Sequence, residues 1–379
     1  MQFFSYIFDS RYADVIGLYN FVFLAVVILG FLGSDDTKII KKKYKKVFFI
    51  CSFSVATLFY VFSNTGMDLI QYVNRYMEAQ LSTAYLTKQT MEAGYLLLNA
   101  VLKLVIEDPF MGIGVIKLIS MILVFDSIYE LRNEINVGYS ILFYMSLFYF
   151  QGFNLIRLTL SGAICFFAFV RLYKEKYISA FIAVLIAISI HTSAILFLIA
   201  IVSFVVFTRM PRWRTVLMPI LFLITLLMIV LGKGIITYFI SSGSFLRYEQ
   251  YMDVVGSAGI MQIVFYVPVF IIMYCMWRLF KTTQWRFVSL ALLFCLFGFM
   301  FAMIGYDIGI VSRAAIYFGM NFTVLIPFYM KWKKSTNKRG LFAYDVIAVS
   351  ITTYAVVRYI LTMSSIFVVS GLSHHAFLF

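Results

Sequence analysis

Residues 177–208 read YISAFIAVLIAISIHTSAILFLIAIVSFVVFT, with a basic stretch at either end: residues 171–176 (RLYKEK) and residues 209–214 (RMPRWR). A helix rising 1.5 Å per residue needs only ~20 residues to cross a hydrocarbon core, and this uncharged run holds about 30. One straight helix would also put the two basic stretches on opposite sides of a bilayer, whereas basic loops gather on the cytoplasmic side. Two short, tilted helices joined at the polar trio His191, Thr192 and Ser193 meet both constraints. The run therefore predicts a helical break at that trio and places His191 at the external membrane surface.

The same rule extends along the chain. Of the 379 residues, 63% are apolar or aromatic and 13% are charged, against about half and a quarter in a soluble domain. Only five prolines interrupt the apolar runs. No segment shows the alternation of a spanning β-barrel strand. The expected class is an all-α polytopic membrane protein, residues 1–379 forming a single integral membrane domain. The first apolar run is followed by lysines rather than a small-residue cleavage site, so no cleaved leader is expected.

Five basic loops lie at residues 38–46 (KIIKKKYKK), 171–176, 209–214, 278–286 (RLFKTTQWR) and 331–339 (KWKKSTNKR). With all five in the cytoplasm, an even number of crossings must separate each neighbouring pair. Residues 215–231 and 260–277 form one pair around an external loop at 232–259. Residues 287–303 and 313–330 form another, and 341–362 is the last span. Between 47 and 171, spans at 47–63, 112–129, 138–152 and 155–171 close the parity only if residues 93–106 do not cross. That segment is short and carries Asn99 and Lys103. It is expected to lie on the external surface or to re-enter, within an external region at 64–111. The total is about twelve crossings with both termini outside.

The net charge of +14 is explained by these loops and calls for no nucleic-acid partner. Four cysteines lie inside apolar runs and read as small core residues. No metal-ligand spacing, phosphate-binding glycine loop or nucleophile elbow is present, so no metal or cofactor is expected. The acidic pair Asp35-Asp36 reads as solvated.

The remaining ionisable residues are more informative, because charges at or near spans are costly and tend to be functional. Asp68, Tyr72, Arg75 and Tyr76 share one helical face in the first external region. Gly66 and Asp68 can begin and cap that helix. Asn154, Arg157 and Ser161 follow at i, i+3, i+7. Arg313 stands one turn before Tyr317, and Arg247 is followed by Tyr248 and Tyr251. The parity puts these groups and His191 on one membrane face. External arginines with hydrogen-bonding neighbours suit an anion at headgroup height, since guanidinium matches phosphate. Snorkelling to ordinary headgroups would use the same residues. His191 can be a structural hydrogen-bonder or a general base.

In order, the chain carries Asp68-x-x-x-Tyr72-x-x-x-Tyr76, then Glu92-Ala93-Gly94-Tyr95 with Asn99. Asn154-x-x-Arg157 follows, then His191-Thr192-Ser193-Ala194, then Arg313-x-x-x-Tyr317-Phe318 with Pro327. In this order and spacing the sequence resembles the EpsG/Wzy family of bacterial polysaccharide polymerases, O-antigen polymerases included, from about residue 60 to 330. It departs at Leu158, where many relatives carry Gln, and in the tail Ser373-His374-His375, where an aromatic-proline pair is common.

The resemblance implies a GT-C-like membrane glycosyltransferase in the bacterial plasma (inner) membrane, with its site on the external, periplasmic face. Such an enzyme moves a glycan from undecaprenyl diphosphate onto a hydroxyl of a fresh lipid-linked repeat unit. Its partners are then undecaprenyl-diphosphate-linked glycans, membrane lipids and, as a protein partner, a chain-length regulator. Arg157, Arg313 and Arg247 are candidates to hold the diphosphate, and His191 or Asp68 to take the acceptor's proton. Tyr72, Arg75, Tyr76, Glu92, Tyr95, Asn154, Tyr248, Tyr251 and Tyr317 are candidates to contact sugars, Glu92 by orienting the acceptor. An O-antigen ligase would carry a larger external loop than 232–259. A lipid-linked sugar flippase or other transporter would show an internal repeat and midplane charges. An acyltransferase acting on surface sugars is a further alternative.

Overall fold

A computed structural model describes residues 12–87, 91–209, 214–239, 259–276, 285–307, 311, 313–320, 322–336 and 341–366. Among these residues the regular structure is helical and no β-strand is formed. Among the described residues seven helices are long and apolar enough to cross a membrane: Ala13–Leu32, Lys42–Val61, Pro109–Glu130, Ile156–Tyr173, Thr192–Arg209, Arg286–Gly305 and Tyr344–Ser364. Shorter apolar helices lie at Ala93–Lys103, Tyr177–Ile190, Pro219–Gly232 and Val264–Met276. Large apolar side chains such as Ile178, Val230, Val349 and Tyr274 stand exposed along these helices. Exposed apolar surface on this scale is stable against lipid rather than water. The chain is a multi-pass helical membrane protein.

In chain order the helices are α1 (Ala13–Leu32), α2 (Lys42–Val61), α3 (Leu69–Glu78), α4 (Thr83–Thr87), α5 (Ala93–Lys103) and α6 (Pro109–Glu130). They continue as α7 (Val137–Tyr144), α8 (Ile156–Tyr173), α9 (Tyr177–Ile190), α10 (Phe197–Arg209), α11 (Arg214–Phe239) and α12 (Gly259–Met276). The last four are α13 (Trp285–Asp307), α14 (Ala314–Gly319), α15 (Phe322–Thr336) and α16 (Leu341–Ile366). Residues 240–258, the greater part of the predicted external loop, lie outside the described residues, so Arg247, Tyr248 and Tyr251 do too.

The segment predicted as a span at 138–152 is the buried centre. Here α7 loosens into a π turn, Met145–Tyr149, and then tightens into a 3-10 turn, Phe150–Phe153. Such irregular turns free backbone groups that must be satisfied where water is absent. Side chains supply partners: the Tyr60 hydroxyl of α2 donates to the Gly152 carbonyl at 2.8 Å and the Gln151 amide to the Leu147 carbonyl at 2.8 Å, while the Tyr149 hydroxyl ties the π turn back to the Ala56 carbonyl of α2 at 2.6 Å. Elsewhere Ser52 reaches the Val26 carbonyl at 2.8 Å and Ser140 the Thr323 carbonyl at 2.5 Å. Between helices in lipid, polar contacts of this kind give association its specificity.

At one end of the bundle, lysines cap loop carbonyls. Lys45 donates to Asp35 O at 2.7 Å, Lys331 to Arg132 O at 2.5 Å and Lys334 to Asp36 O at 2.8 Å. The Asp36 carboxylate accepts from the Asn136 side-chain amide at 2.7 Å. Asp36, expected to be merely solvated, thus ties three distant segments together.

Two sequence-based expectations concern the elements around the site. The helical break forms where the polar trio stands: α9 ends at Ile190, His191 takes an extended backbone (φ −149°, ψ 111°), and a 3-10 turn, Thr192–Leu196, leads into α10. The segment around 93–106 forms α5, whose 11 residues span ~16 Å, about half the thickness of a hydrocarbon core.

Candidate functional site

The site is assembled by one short connection and two glycines. Three residues join α8 to α9, so the two helices pack as antiparallel neighbours, stapled by the Ser161 hydroxyl donating to Ala187 O at 3.0 Å. Arg157, in the first turn of α8, and His191, just past the end of α9, therefore reach the same end of the bundle. Helix α5 approaches that end through Gly94. A Cβ there would stand 2.3 Å from Ser189 Oγ and 2.6 Å from the Ser189 carbonyl, so only glycine lets the start of α5 lie against the end of α9.

That approach delivers Glu92 between Arg157 and His191. One carboxylate oxygen, Oε2, is ion-paired with Arg157 Nη1. The other, Oε1, accepts from the Thr192 backbone N–H at 3.0 Å and the Thr192 hydroxyl at 2.9 Å, and lies 3.3 Å from His191 Nδ1. Burial raises the pKa of Glu92, but the hydrogen bond from His191, the charge of Arg157 and the Thr192 N–H outweigh it. The carboxyl is held well below the usual range and stays ionised. For His191 burial dominates and lowers the pKa; Arg157 and Arg313 push the same way, against Glu92. The balance favours the neutral ring.

A second strand of contacts brings in Asp68. Gly66 adopts φ +126°, and a Cβ on it would lie 2.3 Å from the Phe153 carbonyl, so the turn before α3 requires glycine. This contact seats the turn against the 3-10 segment, and Asn154 Oδ1 accepts the Asp68 backbone N–H at 3.0 Å. Asp68 stands at the N-cap of α3 as expected, but its carboxylate makes no capping bond. Burial raises its pKa, opposed by the charges of Arg313 and Arg157. Those two arginines and Asp68 therefore share one electrostatic neighbourhood, although they stand far apart in sequence.

The tyrosines divide. Tyr72 is buried, its ring edge-on to Tyr95 at 6.0 Å between centroids, and the Arg157 guanidinium lies 6.0 Å from the Tyr95 ring. Burial raises the pKa of both hydroxyls. Tyr76 is fully buried and donates to Ile106 O at 2.8 Å, beneath Gly112. Tyr317 is buried too, sharing a 2.9 Å hydrogen bond with Ser193 that fixes the turn after His191. Arg75 points away, pairing with Glu78 at 3.1 Å on the exposed side of α3. The shared face of α3 thus turns inward at Tyr72 and Tyr76, while Arg75 flanks it.

Glu92, a candidate to orient the acceptor, was not legible as the hub; Thr192, two donors to one carboxylate oxygen, entered only through the polar turn and the His191-Thr192-Ser193-Ala194 motif. Sequence reading also passed over Lys117, a 2% exposed lysine within α6. Its Nζ donates to Ser63 O at 2.9 Å and lies 5.3 Å from the Tyr60 ring. An isolated lysine inside an apolar run was the available signal. Among the described residues no group of three or more His, Cys, Asp or Glu side chains gathers into a metal-binding set.

A carboxylate fixing a guanidinium and an imidazole, with a second arginine and a half-buried aspartate beside them, can bind an anion and move a proton. Comparison with known proteins agrees in kind: the sequence model of the EpsG family matches residues 45–368, most of the chain. No curated protein and no solved structure is matched.

Proposed function

Because the chain belongs to the EpsG family, a family of polysaccharide-polymerase type, we propose that it is a membrane glycosyltransferase that polymerises lipid-linked glycans. Its donor is a glycan on undecaprenyl diphosphate, and its acceptor is a sugar hydroxyl of another lipid-linked repeat unit. The chain crosses the bacterial plasma membrane twelve times in a GT-C-like arrangement, with Glu92, Arg157, His191 and Arg313 on the external face. Membrane lipids surround it, and a chain-length regulator is its protein partner.

The observation that carries this reading is the pairing of Arg157 with Glu92 beside His191. The ion pair uses one nitrogen of a guanidinium that has five N–H donors, so Arg157 is oriented and keeps donors for a second anion. Arg313, whose charge reaches both Asp68 and His191, supplies the second cation. When the acceptor oxygen bonds to the anomeric carbon, the bond to the diphosphate breaks and its electron pair leaves with the diphosphate. Arginines already in position stabilise that charge without reorganisation. The acceptor's proton passes to His191 or Asp68. Tyr72 and Tyr95 back the arginine, and Asn154 fixes Asp68.

The test gives purified protein lipid-linked repeat units in detergent, without nucleotide sugar. Longer glycans are expected; intact, unextended substrate would refute the polymerase and leave a flippase or ligase to be tried. Arg157→Ala and Arg313→Ala should each lower elongation by at least ~10²-fold, the scale of losing one preorganised donor to developing charge. Wild-type elongation in both would remove the arginine clamp.

A further inference from the structure

We infer that Glu92 is a positioning residue that holds neutral His191 with its proton on Nδ1, so that the Nε2 lone pair is the base that takes the acceptor's proton. The inference rests on the transferase reading for its catalytic half only. Its structural half stands on four contacts. Glu92 Oε2 is occupied by Arg157, and Oε1 by two donors of Thr192. An ionised carboxylate accepts hydrogen bonds and donates none. The atom of His191 facing Oε1 at 3.3 Å is Nδ1, so Nδ1 carries the hydrogen.

A neutral imidazole with a proton on Nδ1 has its lone pair on Nε2. The charged groups acting on the ring are Glu92, at the start of α5, Arg157 of α8, and Arg313, just before α14. Burial first, and the two arginines with it, disfavour the imidazolium and keep the base free in the resting protein. Once the hydroxyl proton reaches Nε2, Glu92 faces a full imidazolium and stabilises it. The acceptor oxygen forms its bond to the anomeric carbon, and the donor's bonding pair departs with the diphosphate. Water then takes the proton from Nε2 and restores the ring. Asp68, whose pKa burial raises against the fields of Arg313 and Arg157, touches neither Glu92 nor His191 among these four contacts and is left to contact the acceptor directly or to flank it.

The chain holds three histidines, and His374→Gln with His375→Gln leaves His191 alone for observation. This variant, labelled with 15N-histidine in lipid nanodiscs at neutral pH, should show a protonated Nδ1 and an unprotonated Nε2. Adding Glu92→Gln, which removes the carboxylate but keeps its shape, should shift the population towards the Nε2–H tautomer. An Nε2–H ring in the first variant, or a population unmoved by Glu92→Gln, overturns the inference. In the elongation assay Glu92→Gln should lower kcat ~10²-fold, within the usual range for general-base catalysis, with KM changed less than about threefold. The acid limb of its pH profile should move to lower pH, because the charge favouring the imidazolium is gone. A His191 tautomer as inferred, in a protein that extends no lipid-linked glycan, would remove the transferase reading and leave the positioning role standing.

Discussion

Glu92 shows how much one buried carboxylate can organise. Its side chain is 10% exposed and that of Arg157 20%, so neither charge is well solvated without the other. Glu92→Ala should destabilise the protein by about 3 kcal/mol, the lower part of the range for leaving one partner of a buried pair uncompensated. Glu92→Gln should cost less, because a neutral acceptor still faces Arg157. Thermal unfolding in detergent checks both. The pH dependence follows from the directions of the shifts. Glu92 has a folded pKa below its unfolded value, so its contribution is complete above the ordinary carboxylate range and is lost as pH falls from there towards the folded value. The stability gap between wild type and Glu92→Gln should therefore be constant from pH 6 to 8 and narrow below about pH 4.

At the scale of elements, function depends on irregular backbone between regular helices. Gly66 lets the turn before α3 close on Phe153, and Gly94 lets α5 close on α9. Gly66→Ala places a Cβ against a backbone carbonyl at positive φ. It should cost more than the ~1–2 kcal/mol of the conformation alone. Gly94→Val should separate Glu92 from His191 while leaving α8 and α9 stapled through Ser161. Its expected signature is a protein that inserts and folds yet has lost elongation and the His191 tautomer preference together. Loss of the preference alone, with wild-type elongation, would contradict the link between the two. The helical break at His191 was legible in advance because a polar trio interrupts an overlong apolar run between two basic loops. The π and 3-10 turns of residues 145–153 were not, since Ser146 and Gln151 with Gly152 were compatible with a regular span that ends at a polar loop. The carbonyls these turns free are met by Tyr60, distant in sequence, and by Gln151 within the segment.

At the scale of the molecule, the arrangement separates two chemistries to two ends. The lysine-capped loops around Asp36, Arg132 and Lys334 mark one end, and Glu92 with its partners the other. The proposed topology of twelve crossings predicts that single cysteines at Lys43 and Lys334, in a chain freed of its four native cysteines, are labelled only after the membrane is permeabilised. A cysteine at Ser82, in the region joining α3 to α5, should be labelled in intact cells. The reverse pattern would invert the topology and move the site to the cytoplasmic side.

The sequence by itself determined the solvent and the class. Long apolar runs with few charges are stable as helices in lipid, and the clustering of lysine and arginine between them orders the crossings. It also isolated Asp68, Arg157, His191 and Arg313, because ionisable groups near spans are rare enough to notice. Only the tertiary structure decided which of these meet, and that Glu92 joins them. A carboxylate's role depends on the donors that packing brings within 3 Å. Those come from Arg157 and Thr192, segments 65 and 100 residues away along the chain. No local pattern records that distance, whereas the close approach at Gly94 and the break at His191 create it.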